Sequence, residues 1–141
     1  MAEVALKVLL EKEKPGKPYE VISAGTSAAT GFPATMYAIE AAKIWRADLS
    51  QHHSRPLTGA LIDKADLILG MTESHVREIL RIRENAEERT FLFKNFPEEN
   101  KSGEGVEDPI GQSLDQYNQT FLEIGEYLGK NLAEYVKRIE A

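Results

Sequence analysis

From its first residue the chain repeats apolar side chains at three- and four-residue steps. Ala5, Val8, Leu9 and Lys12 share one face with Lys7 and Glu11 beside it, which predicts an amphipathic helix over residues 1–12. No Ser, Thr, Asp or Asn stands before this helix as a cap, and no strand leads into it. Lys14-Pro15-Gly16-Lys17-Pro18 breaks the pattern as a turn. Residues 19–23 alternate and are rich in β-formers, so a strand is expected there. Residues 24–33 are small and Gly-rich, a loop. A stripe of Tyr37, Ala41, Ile44 and Trp45 predicts a second helix over 34–47.

Residues 48–56 form a polar connection that contains His52 and His53. Thr58 is placed to cap a short helix running to 64. Asp66-Leu67-Ile68-Leu69-Gly70 is almost continuously apolar, the pattern of a parallel strand covered on both faces. Thr72 caps a helix running to 82, with Glu73 near its positive end. Residues 90–93 read as a third short strand. Residues 94–107 make a long polar loop, of the kind that often carries function inside a compact domain. Ser113-Leu114-Asp115-Gln116 is a capping box. It opens a long helix striped by Leu114, Tyr117, Phe121, Ile124, Leu128, Leu132, Tyr135 and Ile139. Strands separated by helices predict an α/β fold, a parallel sheet in a three-layer α/β/α arrangement. No repeat or linker divides the chain, so one domain over 1–141 is expected.

Composition narrows the chemistry. The 141 residues are 42% hydrophobic and 28% charged, ordinary for a globular protein. The net charge is −6 with basic residues spread along the chain, which argues against a nucleic-acid surface. No apolar run approaches the ~20 residues of a membrane span, and no signal peptide is evident, so a cytoplasmic protein is expected. There is no cysteine, hence no thiolate nucleophile and no thiolate metal site. His52, His53 and His75 have no spacing that pairs them as ligands on one helical face, so no metal or other cofactor is expected.

Several segments in order resemble the low-molecular-weight protein tyrosine phosphatase family. They are Met1-Ala2-Glu3, Ser23-Ala24-Gly25-Thr26, Asp48-Leu49-Ser50 with His52 and Arg55, Pro56-Leu57-Thr58, residues 65–69 followed by Met71-Thr72, and Asp108-Pro109-Ile110-Gly111. The resemblance covers nearly the whole chain and implies a phosphotyrosine phosphatase I-like fold with four strands. In that family Met-Ala-Glu directly follows a loop of the form Cys-x5-Arg-Ser-Pro that closes the first, central strand. A strand of ~5 residues and that loop would precede Met1. The expectation is therefore a chain truncated at its N-terminus, or given a start too far downstream, lacking that strand, the nucleophile and the phosphate-gripping arginine.

The resemblance implies hydrolysis of phosphomonoesters through a phosphocysteine. It makes Asp108 the general acid and base. Ser23 and His52 match positions that hold the phosphate loop, and Ser27 to Phe32, with Ile110, match the walls of the substrate cleft. Many tyrosine-specific members carry an aromatic residue where Ile110 stands, and some bacterial relatives act on protein phosphoarginine, so that choice stays open. The implied partner is a phosphorylated protein or small phosphomonoester, with self-association expected through exposed strand edges. A cysteine-free pseudophosphatase that binds without catalysis is the alternative. Related arsenate reductases need further cysteines, which this chain lacks.

Overall fold

The computed structural model describes residues 1–26 and 34–140. Helix α1, Ala2–Glu13, begins at Met1 with no side-chain cap, as its sequence predicts. Helices α2, Met36–Ile44, α3, Gly59–Lys64, and α4, Glu73–Ile82, start behind Thr35, Thr58 and Thr72. Helix α5, Leu114–Ile139, starts behind Ser113. Each of these hydroxyls accepts a hydrogen bond from the amide three residues on, satisfying one donor that the first turn leaves open. Strands β1, Ile68–Gly70, and β2, Thr90–Leu92, pair in parallel, and a 3-10 turn, Glu84–Arg89, leads into β2.

Alternation along the strands builds the layers. Leu67, Leu69, Phe91 and Phe93 join the large core formed with α1, α2 and α5. Ile68 points the other way, into a small cluster of Ile62, Ile79 and Ala86 from α3, α4 and the 3-10 turn. Thr90, opposite Ile68 in the register, also faces that side, where its hydroxyl donates to the Ala86 carbonyl at 2.8 Å. A parallel sheet thus lies between two helical layers, the expected α/β/α arrangement.

The large layer is locked around α5. Trp45, just past α2, packs on Phe121 with ring centroids 6.0 Å apart and lies directly over Gly125. A Cβ on Gly125 would stand 2.0 Å from the indole, so only glycine allows this approach. The far end of α5 is tied to the turn after α1, where the Tyr19 phenol and the Lys17 ammonium meet Glu140.

Three expectations need correction. Residues 19–23 are not a strand, because no neighbour offers them a ladder among the described residues and the Ser23 amide is taken by the Glu3 carboxylate. Two strands result instead of three, with an isolated parallel bridge between Gly25 and Pro56. Helix α2 starts at 36, not 34, because the Thr35 hydroxyl caps Ala38. Its buried face is Ala38, Ala41 and Ala42, while Ile44 is 72% exposed and Tyr37 is also exposed. Small alanines let α2 lie close on α5, while Ile44 turns out and Tyr37 meets α5 only at the rim, with its ring against Tyr117.

Candidate functional site

Three connections converge at the first turn of α1. The bridge at Gly25 is closed by its amide donating to Arg55 O and its carbonyl accepting from Leu57 N, both at 3.0 Å. That bridge draws Ser23 and His52 to the same place. Past β1, the Met71 carbonyl accepts from the Val106 amide at 2.8 Å. Gly105 permits this approach, since a Cβ there would stand 2.7 Å from the Met71 oxygen. Asp108 follows two residues later.

At the centre is Glu3, a carboxylate only 8% exposed. The Ser23 amide donates to it at 2.7 Å and the Ser23 hydroxyl at 3.0 Å. Lys7 donates from one turn away at 3.2 Å, and His52 Nδ1 stands 3.5 Å off. Burial opposes the charge on Glu3, but the hydrogen bonds from Lys7 and Ser23 outweigh it and hold its carboxyl below the ordinary value. Ser23 and His52 are therefore brought together, and Glu3 is what joins them. Sequence reasoning gave Glu3 no role. It stood only inside the Met1-Ala2-Glu3 motif, and an acidic residue in a first helical turn ordinarily reads as dipole compensation.

Asp108 is different. It is exposed, and its Oδ1 accepts from the Ile110 amide at 3.1 Å. Pro109 is buried beneath it, and the turn closes with Gln112 N donating to Pro109 O at 2.9 Å. Gly111 takes φ 81° there, a left-handed conformation that favours glycine. Asp108 also lies near the first turn of α1, where the helix dipole favours anions.

Ile110 is 65% exposed beside Asp108. Ser27 and Phe32 lie outside the described residues. Of the other polar residues considered, His53 and Arg55 are exposed and His75 is partly so. Among the described residues no group of three or more His, Asp or Glu could hold a metal ion, and no helix is long and apolar enough to cross a membrane.

The family model described as low molecular weight phosphotyrosine protein phosphatase matches residues 1–141. The chain is 35% identical to the protein-arginine-phosphatase of Bacillus subtilis (strain 168), over 98% of this chain and 88% of that protein. It is 29% identical to the low molecular weight protein-tyrosine-phosphatase Etp of Escherichia coli (strain K12), over 80% and 72%. Among solved structures, a YwlE mutant from Bacillus subtilis superposes with a TM-score of 0.82 at 36% identity, covering 96% of this chain and 88% of that one. The low molecular weight protein tyrosine phosphatase from T. tengcongensis superposes with a TM-score of 0.83 at 32% identity, covering 94% and 88%.

Proposed function

The chain belongs to the low molecular weight phosphotyrosine protein phosphatase family, and we propose that its site serves the hydrolysis of phosphate esters or phosphoramidates on proteins. Asp108 acts as the acid that protonates the leaving atom and then as the base that activates water. Ser23 and His52, gathered on Glu3, support the anion cradle. Ser27, Phe32 and Ile110 line the cleft that receives the phosphorylated side chain. Residues 1–141 act as one domain, placed in the cytoplasm.

The observation that carries this reading is the contrast at the sheet edge. One carboxylate is saturated with donors, and a second stands exposed near the positive end of α1. Residues 1–141 contain no cysteine, so the phosphocysteine route has no nucleophile within them. They therefore do not hydrolyse phosphate esters by that route. The substrate is a phosphorylated protein side chain, phosphotyrosine or phosphoarginine, as relatives of both kinds match the chain.

The test fuses a strand and a Cys-x5-Arg loop of the family form ahead of Met1 and follows hydrolysis of an aryl phosphate and a phosphoarginine peptide. The fusion is expected to turn over at least one of the two substrates, while residues 1–141 alone turn over neither. A folded, inactive fusion would contradict the reading.

Self-association through a strand edge belongs to the same proposal. Strand β2 is wholly buried, yet Ile68 and Leu69 of β1 are only partly so, and no strand pairs with the second edge of β1 among the described residues. An open parallel edge invites pairing with another chain. Gel filtration is expected to show a species larger than 15.8 kDa that grows with concentration; one monomer peak over a hundredfold range would contradict it.

A further inference from the structure

Asp108 sits in a span with few anchors. From Glu107 to Gln116 only Pro109 is buried. The near anchor is Val106, buried and bonded to Met71 O. The far anchor is Tyr117, 4% exposed, the first buried residue of α5. Its amide donates to Ser113 O at 3.1 Å, which fastens the helix start to the turn that carries Asp108.

Two of the contacts that seat Tyr117 come from the start of α2. Its ring meets that of Tyr37 edge to face, with centroids 5.9 Å apart. Its phenol oxygen accepts a hydrogen bond from the Thr35 hydroxyl at 3.2 Å. Thr35 is therefore used twice: its oxygen accepts from the Ala38 amide as the α2 cap, and its proton goes to Tyr117. A hydroxyl can accept from an amide and donate to a phenol at once. Trp45 on Phe121 and Gly125 fastens the two helices further along both.

We propose that Tyr117 is a positioning residue for Asp108, holding the 108–112 turn in place by tying the start of α5 to Thr35 and Tyr37. This rests on the reading of Asp108 as the proton-transfer group, since a turn without that task has no need of a fixed carboxylate. The strut acts through helix geometry: a shift of the first turn of α5 against α2 moves Ser113, and with it the turn closed by Gln112 and Pro109.

The test is the mobility of the turn in residues 1–141, read from backbone ¹⁵N order parameters. Tyr117→Phe removes the phenol oxygen and leaves the Thr35 cap on Ala38 intact. Order parameters at Asp108, Ile110, Gly111 and Gln112 are expected to fall from the rigid range of about 0.85 toward about 0.6, with Val106 and the melting temperature unchanged. Thr35→Val should loosen the same four residues, and Thr35→Ser should keep them rigid. Unchanged order parameters in both Tyr117→Phe and Thr35→Val, or loosening in Thr35→Ser, would overturn the proposal. Because mobility is read without catalysis, an inactive fusion counts against the phosphatase reading alone. A rigid turn in both Tyr117→Phe and Thr35→Val counts against the strut alone.

Discussion

Glu3 and Asp108 are carboxylates at the same edge of the sheet, and the fold treats them in opposite ways. Glu3 is buried and takes donors from Lys7 and both polar groups of Ser23, with His52 close by. Asp108 is exposed and is held by one hydrogen bond from its own turn. A carboxylate saturated with donors is fixed in its charged form and suits a supporting role. One that faces solvent, with lone pairs to spare, can exchange a proton with a ligand. Burial and hydrogen bonding thus set two chemically similar side chains apart, as the proposed division of labour requires.

Removing each carboxylate separates the roles. Glu3→Ala leaves the Ser23 amide, the Ser23 hydroxyl, Lys7 and His52 without their common acceptor. Denaturant unfolding is expected to show a loss of about 2–4 kcal/mol. Asp108→Ala breaks only an exposed turn contact and should fall within about 0.5 kcal/mol of the parent chain. Equal losses would erase the distinction.

Acidity probes the same contrast with a smaller effect. The folded-state pKa of Glu3 lies below its unfolded value. Its contribution is therefore present above the unfolded carboxylate pKa and is lost as pH falls through the folded one. Stability measured from neutral pH down past the unfolded value of about 4.3 should decline, and Glu3→Gln should flatten that decline. An unchanged slope in Glu3→Gln would place the acid sensitivity elsewhere.

At the alkaline end Tyr135 supplies a control remote from both carboxylates. Burial pushes its phenol up to about 12, with Asn131 beside it pulling slightly the other way. A raised folded-state value means stability present below the unfolded pKa of about 10 and lost between there and about 12. Tyr135→Phe should reduce this alkaline loss, with the Tyr19 phenol, held up by Glu140, supplying the rest, and leave the acid limb unchanged. An undiminished alkaline loss in that variant would refute the assignment.

The sequence was most legible where structure is set within a few residues. Thr58, Thr72 and Ser113 cap the helices they were expected to cap, because a hydroxyl reaches an amide three residues on whatever the tertiary fold. The apolar run before Gly70 and the short strand at 90 pair as read. Residues 19–23 misled because alternation signals a strand only when a neighbour supplies the ladder. Ile44 misled because its helical stripe ignored how closely alanines let α2 approach α5. The site was partly legible: Ser23 and His52 do meet, but their meeting depends on Glu3. Nothing in a local window shows that an acidic residue in a first turn will be enclosed by chain arriving from twenty and fifty residues away.

The division of labour between the two carboxylates is tested most directly in the fusion that carries a Cys-x5-Arg loop ahead of Met1. Turnover of an ester with a poor leaving group is measured for Asp108→Asn and Glu3→Gln beside melting curves. Asp108→Asn is expected to lower turnover by about 10²–10⁴-fold with the melt unchanged, the usual worth of a positioned proton donor. Glu3→Gln is expected to lower the melt first. Full turnover in Asp108→Asn, or a loss of that size in Glu3→Gln with an unchanged melt, would contradict the account.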